Sequence, residues 1–127
     1  MRVKELDHIV LNVADIERSL DWYCNRLGLS PDRVEEWRGG GAPFPSVRIN
    51  DGCIIDLFAE PPQGENMNHL CLVVDPDDLG GITPEAGFDV LEGPVSRWGA
   101  RGPGLSVYVR DPDGNTVELR TYPEGDR

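Results

Sequence analysis

Branched apolar residues occupy every second position in a short segment near the N-terminus. Ile9, Leu11 and Val13 alternate with a set of positions that begins at His8. A period of two places successive side chains on opposite faces of an extended chain, so this segment predicts a β-strand. Further short strands are predicted along the chain, at residues 34–38, 46–49, 53–59, 69–74, 90–95, 105–109 and 116–122.

A helical spacing follows the first strand. Apolar residues between Ile16 and Leu27 recur on one helix face, Asp15 stands where an N-cap is expected, and Gly28 stands where a helix ends. The equivalent region of the second half, residues 76–87, contains Gly80-Gly81 and Thr83-Pro84. Because Gly and Pro both weaken a helix interior, only a short or broken helix is expected there.

The chain repeats one unit twice. Residues 7–13 match residues 68–74 at an offset of 61, and residues 51–57 match residues 113–119 at an offset of 62. Each half reads strand, helix and three strands, so the sequence predicts an α+β fold of two βαβββ repeats. The predicted layout is one domain over residues 1–127, with repeats at about 1–60 and 68–123, a linker at 61–64, and loops at 39–45 and 98–104.

Alternation divides each strand into two faces. The apolar face is predicted to pack under the helices and consists of Ile9, Leu11, Ile55, Leu57, Leu70, Leu72, Val107, Val109, Val117 and Leu119. The opposite face carries His8, Asn12, Arg48, Asp56, Phe58, His69, Ser106, Tyr108, Arg110, Glu118 and Arg120. A polar face of this kind commonly faces water in an antiparallel sheet.

The placement of the two histidines argues for a site on the polar face. His8 and His69 are the only histidines and occupy equivalent positions in the two repeats, as do the carboxylates of Asp56 and Glu118. Pseudo-twofold packing would bring two imidazoles and two carboxylates together. Such a donor set suits Mn, Fe, Co, Ni or Zn better than Ca or Mg. Asp56 is one methylene shorter than Glu118, so it could bind directly, bind through water, act as a base or orient His8.

Charge and cysteine content exclude several classes of function. The net charge of −11, from 23 acidic and 12 basic residues, disfavours binding to nucleic acid and to anionic membranes. No apolar stretch approaches the roughly 20 residues of a membrane-spanning helix. The N-terminus lacks the apolar segment of a signal peptide. The three widely spaced cysteines predict free thiols in a reducing cytoplasm.

Several segments resemble one known family. Asp7-His8 with the alternating strand, Leu27-Gly28-Leu29, and above all Tyr108-Val-Arg-Asp-Pro-Asp-Gly-Asn-Thr-Val-Glu118 are similar to the vicinal oxygen chelate superfamily. That superfamily includes glyoxalase I, extradiol dioxygenases and the fosfomycin and bleomycin resistance proteins. The resemblance implies a cupped mixed sheet of the glyoxalase-like fold. It also implies divalent-metal ligands at His8, Asp56, His69 and Glu118, and a homodimer that can exchange halves.

The resemblance leaves three functions open. The first is a lyase or isomerase acting beside the carbonyl of a small molecule, in which Glu118 or Asp56 moves the proton and Tyr108 donates to an oxyanion. An anionic group of the substrate would be held by an arginine, with Phe58 beside it, and the candidates are Arg48, Arg110 and Arg120.

The other two functions differ from the first in their use of the metal. An Fe(II) extradiol-type dioxygenase needs two His and one Glu, which would place Asp56 outside the ligand set. A non-catalytic resistance protein would bind an antibiotic or toxin without turnover. The sequence has Asp56 where glyoxalase I carries Glu. Four protein ligands favour proton transfer, and three favour oxygen chemistry.

Overall fold

The chain folds into two compact units, Met1–Asn66 and Met67–Arg127, in a computed structural model that describes residues 2, 5–99 and 101–123. The elements of the first unit are β1 (His8–Asn12), α1 (Ile16–Leu20), β2 (Ser30–Asp32), α2 (Val34–Arg38), β3 (Ser46–Asn50) and β4 (Cys53–Phe58). Its sheet has the order β1-β4-β3-β2, in which β1 and β4 are parallel and the other pairs are antiparallel. The first predicted βαβββ repeat is therefore confirmed, with one additional helix.

That additional helix corrects a predicted strand. Residues Val34–Arg38 form α2, and the short strand lies just before them at Ser30–Asp32. The segment Val-Glu-Glu-Trp-Arg has one buried residue, Val34, and lacks a second apolar residue two positions on. Glu and Arg favour helix, and Arg38 pairs with Glu35 across one turn at 2.9 Å. The helix propensity of these residues and the ion pair therefore favour a helix over the predicted strand.

The helix α1 begins at the predicted cap and continues as a π-helical segment, Asp21–Arg26. The Asp15 carboxylate accepts a hydrogen bond from the backbone N–H of Arg18 at 3.1 Å. Ile16, Leu20 and Tyr23 are buried, so the predicted apolar face is confirmed at these positions.

Replacing Asp15 with alanine is expected to lower the free energy of unfolding by about 1 kcal/mol, because an N–H at the helix start loses its acceptor. For a domain of this size the melting temperature should fall by roughly 3–5 °C. Thermal unfolding followed by circular dichroism measures the change. Asp15→Asn keeps an oxygen acceptor and should stay near wild type, and an equal loss in both variants would contradict the capping role.

The second unit repeats the sheet of the first. Its strands are β5 (Leu70–Val73), β6 (Asp89–Gly99), β7 (Gly102–Arg110) and β8 (Thr116–Thr121), in the order β5-β8-β7-β6 with β5 and β8 parallel. Two short 3-10 helices, Pro76–Gly81 and Pro84–Ala86, occupy the region between β5 and β6. The prediction of a short or broken helix is confirmed. Two mixed four-stranded sheets with few helices make an α+β protein.

The loop predicted at residues 98–104 is too long, since β6 continues to Gly99 and β7 begins at Gly102. The Gly and Pro residues of this segment predicted a loop, but at these positions they are compatible with a β-strand. β6 is an edge strand. In β7, pairing with β8 begins at Leu105, and Pro103 precedes that residue. The N–H that proline lacks is therefore not needed by β8.

Each sheet buries the apolar face that alternation predicts. Among the ten residues of that face, seven are buried, namely Leu11, Ile55, Leu57, Val107, Val109, Val117 and Leu119. In the first unit α1 contacts β4, and in the second the 3-10 helix with buried Leu79 contacts β8. No helix within the described residues is long and apolar enough to cross a membrane.

Candidate metal-binding residues

In the first unit, His8 and Asp56 lie on the same face of two neighbouring strands. The parallel register of β1 and β4 sets Val10 opposite Asp56, two positions beyond His8. His8 Nε2 lies 3.9 Å from Asp56 Oδ2, and His8 Nδ1 lies 2.8 Å from a carboxylate oxygen of Asp7. The hydrogen bond to Asp7, with a smaller contribution from the Asp56 charge, raises the pKa of His8. In the neutral ring Nδ1 carries the proton, because a carboxylate only accepts.

The Asp56 carboxylate is buried and held through one of its oxygens. Its Oδ1 accepts a hydrogen bond from Ser46 Oγ at 2.6 Å and one from Arg33 Nη2 at 3.3 Å. Ser46 reaches this oxygen because it lies directly opposite Asp56 in the antiparallel pair β3–β4. Oδ2, the other oxygen, faces His8.

The second unit arranges His69 and Glu118 in the same way. Cys71, two positions beyond His69, lies opposite Glu118 in the parallel pair β5–β8. His69 Nε2 is 3.4 Å from Glu118 Oε1, and His69 Nδ1 is 2.6 Å from the side-chain oxygen of Asn68. An amide oxygen accepts and cannot donate, so the neutral His69 ring carries its proton on Nδ1 and directs a lone pair at Glu118.

Glu118 is likewise held at one of its oxygens by a serine and an arginine. Oε2 accepts a hydrogen bond from Ser106 Oγ at 2.6 Å and one from Arg120 Nη1 at 3.1 Å. The side chains of Glu118 and Arg120 are 5% and 3% exposed, so this is a buried ion pair. Arg120 is further fixed by a hydrogen bond from Nη2 to the backbone oxygen of Arg97 at 2.7 Å.

The imidazole and carboxylate donors of the two pairs are of the types that divalent transition metals bind. With metal–ligand bonds of about 2.0–2.2 Å, neighbouring ligand atoms on one ion are about 3.0–3.6 Å apart. The second pair, at 3.4 Å, lies within that range, and the first, at 3.9 Å, is a few tenths of an ångström wider. In each pair an imidazole nitrogen faces a carboxylate oxygen, an arrangement that a cation or a proton between the two atoms would stabilise.

Each unit thus brings together one imidazole and one carboxylate. Within residues 2, 5–99 and 101–123 no group of three or more His, Cys, Asp or Glu side chains meets the geometric requirements of a metal site. The hydrogen bonds to Asp7 and Asn68 are of the kind that orients metal-bound histidines. The assignment of all four residues to one metal therefore stays a prediction.

The remaining predicted residues occupy different surroundings. Tyr108 is half-buried opposite Glu118 in the β7–β8 register, and its ring centroid is 6.1 Å from that of His69. Burial, followed by the neighbouring Glu118 charge, raises the pKa of Tyr108. Arg120 forms a buried ion pair with Glu118. This contact favours a role in orienting the Glu118 carboxylate over direct contact with a substrate.

The other two arginines are more accessible. Arg48 Nη2 donates a hydrogen bond to Asp32 Oδ2 at 2.7 Å, and over a third of the Arg48 side chain is exposed. Arg110 is exposed and donates to the Gly114 carbonyl at 3.1 Å. Phe58 is half-buried, with its ring centroid 4.7 Å from that of Phe44. These contacts leave Arg48 and Arg110 as the candidates for binding an anionic group.

Three contributors were not identified from the sequence. Ser46 and Ser106 lie in equivalent strands of the two repeats but at different register positions. Ser46 is opposite Asp56, whereas Ser106 is opposite Arg120. The repeat offset therefore did not identify them as partners of the carboxylates. Arg33 gave no signal either. Its contact with Asp56 depends on the path of the chain between β2 and α2, which no local pattern predicts.

The first unit contains a cavity of about 510 Å³. Leu20, Cys24 and Val34 line it together with four acidic residues and the arginines Arg33 and Arg38. Neither His8 nor Asp56 lines the cavity, although Arg33, which does, also contacts Asp56.

Comparison with known proteins identifies the family. The Glyoxalase/Bleomycin resistance protein/Dioxygenase superfamily matches residues 5–119. The glyoxalase domain-containing protein RDO1 of Mycosarcoma maydis is 39% identical, over 96% of this chain and 70% of the relative. The virulence protein STM3117 of Salmonella typhimurium is 32% identical, over 96% and 87%.

A solved structure agrees with these relatives. An integron cassette protein from the mobile metagenome of V. cholerae superposes with a TM-score of 0.76 at 32% identity, over 96% of this chain and 98% of its own. The family match over residues 5–119 covers both units. The chain therefore belongs to the Glyoxalase/Bleomycin resistance protein/Dioxygenase superfamily.

Proposed function

We propose that the protein is a divalent-metal-dependent lyase or isomerase that acts on a small carbonyl compound. The proposed metal ligands are His8, Asp56, His69 and Glu118. The observation that carries the proposal is an arrangement found at both carboxylates. In each, a serine and an arginine donate hydrogen bonds to one oxygen, and the other oxygen faces an imidazole.

The proposed roles follow from these contacts. Asp7 and Asn68 orient the imidazoles, and Ser46 and Ser106 fix the carboxylate rotamers. When bound, the divalent metal supplies Lewis-acid polarisation of a substrate oxygen. Asp56 or Glu118 would carry the proton, and its ligand oxygen, Oδ2 or Oε1, would have to leave the metal to do so.

A substrate would be held by groups near those oxygens. Tyr108 donates its hydroxyl proton to a developing oxyanion, a role supported by its position opposite Glu118. Its raised pKa keeps the phenol protonated at neutral pH. Arg48 or Arg110 would bind an anionic group of the substrate, with Phe58 contributing apolar contact. We further propose a homodimer in the cytoplasm, as the sequence suggested.

Asp56 is the residue that separates this proposal from a ring-cleaving dioxygenase. It is held like Glu118, which supports four protein ligands and proton transfer. The wider 3.9 Å separation in the first pair is the observation that favours the Fe(II) alternative, with Asp56 outside the ligand set. A binding protein without turnover would need neither carboxylate.

Metal titration tests the proposal. Each of His8→Ala and His69→Ala is expected to weaken binding of Zn²⁺, Ni²⁺ or Co²⁺ by more than about 100-fold, exceeding the loss usual for residues outside the ligand set. Isothermal titration calorimetry of the apoprotein measures the affinity. Arg110→Ala serves as control and should bind metal like the wild type. Unchanged affinity in either histidine variant would refute the site.

Activity assays then separate the functions. The metal-loaded protein is expected to isomerise a hemithioacetal, and Asp56→Ala should abolish this activity. Catechol-dependent oxygen uptake that survives Asp56→Ala would instead support the dioxygenase. Ligand binding that is independent of metal and yields no product would support a resistance protein.

A further inference from the structure

Arg33 has an unusual backbone conformation. Its φ of 58° and ψ of 22° place it in the left-handed region, immediately before α2. Every other residue with positive φ in the described part of the chain is a glycine. A residue with a long side chain rarely adopts this conformation, and such residues concentrate at functional sites.

The side chain of Arg33 contacts Ser46, Asp56 and Phe44. Nη2 donates to Ser46 Oγ and, at 3.3 Å, to Asp56 Oδ1. The guanidinium lies over the ring of Phe44, 5.1 Å from its centroid, and Phe44 in turn packs against Phe58. The left-handed turn therefore directs a cation at the oxygen of Asp56 that does not face His8.

We propose that Arg33 is a positioning residue for Asp56. It holds Oδ1 together with Ser46, so that Oδ2 stays presented beside His8. The inference rests on the proposed function, in which Oδ2 is a metal ligand. It assigns to the first unit the part that Arg120 plays in the second, although the two arginines come from unrelated positions in the repeats.

The two arginines differ in how firmly they are held. The Arg120 side chain is 3% exposed, whereas that of Arg33 is 42% exposed. Removing Arg33 leaves the buried Asp56 carboxylate with Ser46 Oγ as a hydrogen-bond donor. It opens no cavity in the core, because the Arg33 side chain is exposed, so the fold should survive its loss. This makes Arg33 the better residue for testing how a carboxylate is positioned.

Substitution with glycine separates positioning from backbone strain. Arg33→Gly relieves the left-handed strain and removes the guanidinium, so the melting temperature should stay near wild type. Metal affinity should nevertheless fall about 10–100-fold, as is usual for partners that orient a ligand. The visible spectrum of bound Co²⁺ should change as well. Arg33→Lys keeps the charge without the planar fork, so it should recover only part of the loss.

Arg38 provides the matched control at the other end of α2. It pairs with Glu17 and Glu35 rather than with Asp56. Arg38→Ala should bind Co²⁺ with wild-type affinity and spectrum. Loss of affinity in Arg33→Gly but not in Arg38→Ala supports the inference. Wild-type affinity and spectrum in Arg33→Gly would overturn the inference about Arg33. The proposed metal site is tested separately by the His8→Ala and His69→Ala variants.

A metal-free measurement decides the inference if the wild type binds no metal, which would refute the proposed function. Arg33→Gly, Asp56→Asn and the double variant form a thermodynamic cycle in the apoprotein. Non-additive shifts in the urea midpoint support coupling between the two side chains. Additive shifts would overturn the positioning role.

Discussion

Replacing Glu118 with alanine is expected to lower the free energy of unfolding by about 3–5 kcal/mol, because the substitution leaves Arg120 buried without its counter-charge. Ser106 Oγ also loses its acceptor. A loss of this size is a large share of the total stability of a typical domain, about 5–15 kcal/mol. Urea unfolding in the presence of EDTA measures the effect without a contribution from bound metal.

A double variant provides the control for this prediction. Glu118→Leu with Arg120→Met replaces the ion pair by apolar side chains of similar volume, which should recover most of the lost stability. Metal affinity should not recover, because the ligand oxygen is absent. A cost below about 1 kcal/mol for Glu118→Ala would show that the Arg120 charge reaches water, since exposed ion pairs contribute little.

The second large effect is expected at Gly93. Its φ of 117° is unfavourable for any residue with a side chain, and an added Cβ would collide with the Ser106 carbonyl and lie 2.9 Å from Val107 Cα. Strain and overpacking together should cost about 3–5 kcal/mol. Gly93→Ala is therefore expected to unfold at much lower urea concentration.

Gly80 is the matched control for Gly93. A Cβ at Gly80 meets no atom within 4 Å, so Gly80→Ala should change stability by less than about 1 kcal/mol. Because the collision at Gly93 involves Ser106, surviving Gly93→Ala protein should also bind metal more weakly. Equal unfolding midpoints for the two alanine variants would contradict the close approach of β6 and β7.

Much of the fold was predictable because it is encoded locally. The period of two assigned Leu11 and Ile55 to the buried face, and the repeat predicted that both units have the same succession of elements along the chain. The prediction of a strand at Val34–Arg38 was wrong, because a five-residue segment with one buried residue has no hydrophobic period to detect. There, helix propensity and a one-turn ion pair decide the structure.

The sequence by itself determined which side chains lie on the same face of each sheet. Equivalent positions in two copies of one unit have the same register, so His8 meets Asp56 as His69 meets Glu118. Alternation and duplication are properties of the chain, and no tertiary information is needed to infer them.

Only the tertiary structure decided which groups hold the carboxylates. Arg120 alternates like an exposed residue, yet it is buried because Gly104, which lacks a Cβ, leaves room for its guanidinium. Arg33 reaches Asp56 across 23 residues of chain, through a left-handed turn. Such contacts depend on packing between segments distant in sequence, and a local pattern carries no information about them.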